Sequence, residues 1–156
     1  MELAYAEAVA AGLRHEVPVG AVLVDAAGVV LARDGNRTIE LSDPCAHAEI
    51  LVLRSSGGKL RNYRLSGATL FVTLEPCLMC IGAMIHARLE RLVFAALDPK
   101  AGAVVSRYQI GRDRLLNHTL AVSQGLMAPE CGELLRDFFR VRRQGKEIGG
   151  KGAARG

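Results

Sequence analysis

The sequence predicts an α/β domain built as a three-layer α/β/α sandwich around a mixed central sheet of about five strands. Two observations carry this expectation. Short apolar, β-branched runs alternate with stretches of helical spacing, the pattern of a sheet with helices packed on its faces. The first two runs are joined only by Asp25-Ala26-Ala27-Gly28, a hairpin-sized link, so at least one strand pair is antiparallel. The 156 residues suffice for one core of ordinary size and are too few for two. Half are hydrophobic and 23% are charged, which suits a folded globular chain and argues against a disordered or fibrous one.

Residues 3–13 are alanine-rich, amphipathic and free of proline, and form the first helix, fraying at Gly12, Arg14 and His15. Residues 17–24 and 29–32 form the two hairpin strands. The chain then turns polar, with turn signals at Asp34-Gly35-Asn36 and Ser42-Asp43-Pro44. Helical spacing resumes over residues 46–54 and runs toward Gly57-Gly58, residues that favour a helix end. Residues 68–74 read as a strand that Glu75-Pro76 interrupts. Residues 77–87 follow as a helix, with Pro76 suited to its first turn. Strands at 92–96 and 119–123 and a closing helix at 129–144 complete the domain, which is expected to span residues 1–144. Residues 145–156 hold five glycines among Lys146, Lys151 and Arg155, too little apolar surface to offset the entropy of ordering, and read as a flexible tail.

The apolar run at 17–24 is far shorter than the roughly 20 residues of a membrane span, and the acidic opening Met1-Glu2-Leu3 is unlike a secretory signal. A cytoplasmic protein is expected, in which the four cysteines Cys45, Cys77, Cys80 and Cys131 favour metal binding over disulfides. The formal net charge of +4 is compatible with an anionic partner such as RNA.

The chemistry concentrates in His47-Ala48-Glu49 and, thirty positions after His47, Pro76-Cys77-Leu78-Met79-Cys80. Cysteines three apart at a helix start share one face, and the helix N-terminus stabilises their thiolates. His47 completes a three-ligand set, and zinc held by three protein ligands keeps a fourth position for water, which the metal activates. Glu49 stands close enough to serve that water as proton carrier without being a ligand. A metalloprotease helix would need a second histidine one turn after the glutamate, and none is present. The stronger alternative is a closed structural site, in which Cys45 supplies a fourth ligand, excludes water and leaves Glu49 without a task.

The two motifs match the signature of zinc nucleobase deaminases, and the wider chain resembles the bacterial tRNA-specific adenosine deaminases, of the cytidine deaminase-like fold. The resemblance rests on residues 16–22, Asn36-Arg37, residues 43–49, Thr73-Leu74-Glu75-Pro76-Cys77, residues 82–86, Asp98 with Lys100, Asn117-His118 and residues 137–140. It implies one zinc per subunit on His47, Cys77 and Cys80, with Glu49 as the catalytic acid and base. It further implies Asn36, Ala48, Pro76 and Asp98 as substrate-binding residues, and Arg140, Arg142 and Arg143 as RNA contacts. The implied reaction is deamination of adenosine to inosine at wobble position 34 in the tRNA anticodon loop, by a homodimer, with activated water attacking C6. The segment 107–113 departs from the family pattern, and Cys45 stands where threonine or serine is usual. His86 and His118 read as core or supporting histidines, Met79 and Met84 as packing, and Cys131 as a small buried hydrophobe. Two other functions fit the same residues: deamination of a free base such as guanine or cytosine, and RNA binding by a zinc-stabilised module without catalysis.

Overall fold

The computed structural model describes the backbone of residues 1–150 and the side chains of residues 1–144. The elements run in the order α1 (Glu2–Leu13), β1 (Gly20–Val24), β2 (Val30–Gly35), α2 (Ala48–Leu60), β3 (Thr69–Leu74), α3 (Leu78–His86), β4 (Arg91–Ala96), β5 (Ala121–Gln124) and α4 (Ala128–Gly150). The strands form one five-stranded sheet of order β2-β1-β3-β4-β5. Strand β1 is antiparallel to both neighbours, pairing Ala21 with Asp34 and with Val72, whereas β3, β4 and β5 are parallel. The mixed three-layer sandwich is therefore the observed fold.

Helices α1 and α4 lie against each other on one face of the sheet, and α2 and α3 pack on the other. The alanines of α1 allow its backbone to sit almost on the sheet: Ala4, Ala8 and Ala11 are fully buried. Their counterparts are Gly20 and Gly35, where an added Cβ would overlap the backbone of α1 at Ala4, Glu7 and Ala8. The main core fills the opposite side, with Leu23, Leu70, Ile81, Met84, Leu92 and Phe94 all fully buried. Each such side chain contributes about 1.5–3 kcal/mol by leaving water.

Several boundaries differ from the sequence reading. Strand β1 begins at Gly20, three residues later than expected, because Pro18 has no N–H to give to a central ladder and Val19 N–H turns back to Val17 O at 2.8 Å. Helix α2 continues through Gly57-Gly58 to Leu60 and stops at Arg61, which adopts the left-handed conformation (φ +49°) that glycine usually supplies. Pro76 lies before the cap residue Cys77, outside the first turn of α3. Helix α4 extends beyond Gln144, the expected end, to Gly150. The rest of the expected tail, residues 151–156, lies outside the described residues. Among the described residues no helix is long and apolar enough to cross a membrane.

Candidate functional site

Two helix N-termini meet below the ends of the parallel strands. His47 is the cap residue of α2 and Cys77 that of α3, both with extended backbone and neither with a side-chain cap of its own helix. Their side chains are thus free to turn toward one another, and Cys80 joins them from the same face one turn along α3. His47 Nδ1 lies 3.7 Å from Cys77 Sγ and 3.5 Å from Cys80 Sγ, and the two sulfurs are 3.7 Å apart. Zinc with Zn–S of about 2.3 Å and Zn–N of about 2.0 Å in tetrahedral geometry sets S···S near about 3.8 Å and S···N near about 3.5 Å. The three atoms therefore fit zinc in both chemistry and spacing, and they form a possible metal site. Cys45 is outside this cluster. It faces a cavity between α2 and α3 that Met79, Ala83 and His86 also line, so the closed four-ligand arrangement does not form.

The charges around the cluster are strongly coupled. A hydrogen bond from the Cys80 thiol, with a further one from His47, draws the Cys77 thiol down to about 4 despite its burial. The same bond, together with burial, pushes Cys80 far up. The bond to Cys77 also raises His47, against the effect of burial. A divalent cation held by these donors would favour both sulfurs as thiolates. Glu49 sits in the first turn of α2 and is 4% exposed. Burial raises its carboxyl above the ordinary range, opposed by its own backbone amide and by the charge on His47.

Asn36 follows β2 and is also buried. Its Oδ1 accepts the Ala48 N–H at 2.9 Å and so takes the capping place that His47 leaves vacant. Ala48 is fully buried and Pro76 is buried, its carbonyl accepting Ala103 N–H at 2.9 Å. Asp98 lies after β4, where its Oδ1 accepts the amides of Lys100 and Ala101. It lines a second cavity, of about 1220 Å³, together with Lys100, Arg136, Arg140 and Arg143.

Residues 1–96 match the family model for the cytidine and deoxycytidylate deaminase zinc-binding region. The chain belongs to that deaminase family. It is 52% identical over 143 residues to a tRNA-specific adenosine deaminase of Agrobacterium fabrum, covering 92% of this chain and 93% of the relative. A solved structure from studies of A-to-I editing by tRNA:A34 deaminases is similar at TM-score 0.83 and 51% identity, covering 86% of this chain and 97% of that one. A guanine deaminase from Nitrosomonas europaea is similar at TM-score 0.67 and 27% identity, covering 88% of this chain and 79% of that one.

Within this deaminase, the structure brings His47, Glu49, Cys77 and Cys80 into one cluster, with Asn36 and Ala48 joined beside it at the start of α2. The arginines divide. Arg140 and Arg143 line the Asp98 cavity, Arg140 paired to Asp137 at 3.0 Å. Arg142 is exposed and stacks over the Phe138 ring, 5.8 Å from its centroid, and is not among the lining residues. His86 is exposed at the end of α3, a correction to the expected core or supporting role: it is the last residue of the helix, two positions after the buried Met84, and points away from the core. His118 has the structural role expected, its Nε2 2.6 Å from Leu89 O. Cys131 is buried at 1% exposure, which pushes its thiol up to about 11.

Two residues of the deaminase were not singled out by the sequence reading. Glu16 is fully buried and accepts Thr38 Oγ1 at 3.0 Å and the amides of Ile39 and Glu40 at 2.8 Å, holding the loop behind Asn36. Glu75 plays the equivalent part for the loop that carries Asp98. A buried glutamate has no local sequence signal when its partners are backbone amides more than twenty residues away. The one available hint was an acidic residue set within an apolar or turn-forming stretch.

Proposed function

We propose that this chain is a zinc-dependent hydrolase that deaminates adenosine to inosine at the wobble position of transfer RNA. One observation carries the reading: a three-donor cluster with zinc spacing stands beside a buried carboxylate and leaves Cys45 outside. The high identity to tRNA-specific adenosine deaminases over nearly the whole chain supports the choice of substrate.

His47 Nδ1, Cys77 Sγ and Cys80 Sγ would hold the metal, which when bound is a Lewis acid that makes hydroxide available near neutral pH. Glu49 takes the proton released from water and delivers it to purine N1 as oxygen adds to C6. It then takes the proton of the new C6 hydroxyl and hands it to the exocyclic nitrogen, so that ammonia leaves and a C6 carbonyl remains. The raised carboxyl of Glu49 suits a group that must both accept and donate. Asn36 spends its oxygen on Ala48, so its amide N–H groups are the part left to contact an acceptor on the target nucleoside. Ala48 and Pro76 form backbone around that nucleoside, and Asp98 stands on the ribose side. Lys100, Arg136, Arg140 and Arg143 form a basic surface for flanking phosphates. The protein acts in the cytoplasm, as a homodimer.

The decisive experiment incubates the zinc-loaded protein with an adenosine-bearing anticodon stem-loop, guanine and cytosine separately, and follows ammonia and inosine. Inosine formation by the wild type and its loss in Glu49→Ala, with zinc and RNA binding retained, is the expected result. Ammonia from guanine alone would favour the free-base reading, which the similarity to a guanine deaminase keeps as the second choice. RNA binding without any deamination would identify a binding module.

A further inference from the structure

Glu75 is 2% exposed, and donors from one distant segment converge on its carboxylate. Its Oε1 accepts the amides of Val104, Val105 and Ser106 at 3.1, 2.7 and 2.8 Å. Its Oε2 accepts the Asp98 amide at 3.0 Å and the Ser106 hydroxyl. Gly102 passes so close that any Cβ there would overlap the carboxylate. Such a cradle of N–H groups around one anion fixes the path of a loop that has no regular structure of its own.

The other end of the tether is the metal site. Glu75 stands two residues before Cys77, Ala103 N–H bonds Pro76 O at 2.9 Å, and Cys77 forms a β-bridge with Gly102. Glu75 N–H also bonds Ala96 O at 2.8 Å, which locks the ends of β3 and β4 together. The loop so held presents Asp98, Lys100 and Ala101 to the cavity lined by Arg136, Arg140 and Arg143. The metal-ligand segment and the basic surface are thus one mechanical unit, joined by the Glu75 carboxylate together with the backbone contacts at Pro76 and Cys77.

We infer that Glu75 is a positioning residue that sets the 98–106 loop relative to Cys77, so that RNA bound along the basic surface delivers its nucleoside in register with the metal site. This rests on the reading of RNA as the substrate. Glutamine is a discriminating replacement, because it keeps the shape but turns an NH2 group toward either the three loop amides or the Asp98 amide and Ser106 hydroxyl.

The test compares zinc-loaded wild type, Glu75→Gln and Ser106→Ala. Glu75→Gln is expected to keep the zinc content and to raise KM for an anticodon stem-loop by about tenfold or more, with kcat changed by less than about threefold. Amide hydrogen exchange should accelerate at Asp98, Val104, Val105 and Ser106 while the β1 amides stay protected. Ser106→Ala removes one donor only and should show the same changes at smaller size, which keeps the test available if Glu75→Gln does not fold. An unchanged KM, or loss of zinc and kcat with KM unmoved, overturns the inference. If even the wild type leaves the stem-loop unreacted, the functional reading fails, and hydrogen exchange still decides the tether: equal exchange in Glu75→Gln and wild type refutes it.

Discussion

The Ala48 amide donates to Asn36 Oδ1 at 2.9 Å, so a loop residue from the end of β2 caps the helix that carries Glu49. Residue 47, which would ordinarily cap α2 with its own side chain, is thereby released to face the two cysteines. The two halves of one carboxamide are thereby divided: the oxygen serves the helix, and under the proposed function the nitrogen is the half that meets substrate.

Substitution at Asn36 should expose that division. Asn36→Asp keeps an acceptor for Ala48 and places a negative charge at a helix N-terminus, so the melting temperature should stay near that of the wild type. It has no N–H to offer the nucleoside, and kcat/KM should fall by about tenfold or more. Asn36→Ala should fall in both respects, losing about 1 kcal/mol of stability with the cap. Equal activity of Asn36→Asp and wild type would remove the residue from substrate recognition.

Metal content separates the cysteines. Cys77→Ser and Cys80→Ser should each lose zinc, measured by elemental analysis after dialysis, while Cys45→Ser should keep the full complement and its activity. Chelation of the wild type should lower the melting temperature, since a metal held by the folded state alone stabilises it by mass action. Zinc loss from Cys45→Ser under reducing conditions would revive the closed site.

Salt dependence reads the basic cavity. Arg143→Ala should weaken stem-loop binding and flatten the plot of log affinity against log salt by about 0.7, the change for one phosphate contact on a single strand. Arg140 is already paired with Asp137, and Arg142 is stacked on Phe138. Their alanine variants should therefore change the slope less.

Glu16 makes stability depend on pH. Burial opposes its ionisation, but the Glu40 amide, the Thr38 hydroxyl and the Ile39 amide outweigh that and hold its pKa below 4.5, the ordinary value. A carboxyl depressed in the folded state binds fewer protons there than in the unfolded chain, so its contribution is present above about pH 4.5 and is lost as pH falls through the folded value. Glu16→Gln should accordingly cost stability at pH 7 and much less near pH 3, as urea midpoints across that range would report. A penalty independent of pH would assign the loss to shape alone.

Gly20→Ala tests the contact between α1 and the sheet. The new methyl would overlap the Ala4 carbonyl and the Ala8 amide, both backbone atoms that cannot rotate away. A loss of about 1–3 kcal/mol or more is expected from urea denaturation. Gly58→Ala, on the open side of α2 where no atom stands within 4 Å, should be neutral or mildly stabilising.

Element types were legible because hydrophobic periodicity is a local property: all nine helices and strands of the sequence reading are present among the described residues. Ends were less legible. Gly57-Gly58 was expected to close α2, yet the helix passes through both, because Ile50, Val52 and Leu53 anchor it in the core and tertiary burial outweighs the propensity cost of two glycines.

By itself the sequence determined the alternation of strands and helices and the chemistry of the site, since a histidine, two cysteines a helical turn apart and a neighbouring glutamate are recognisable from type and spacing. The tertiary structure alone decided that Cys45 turns away from the metal cluster, that Asn36 caps α2, and that Glu16 and Glu75 hold the two loops beside the site. For Asn36, Glu16 and Glu75 the physical reason is that their partners are backbone groups brought near from twelve to thirty-one residues away, and a hydrogen bond between distant segments leaves no periodic trace in the chain.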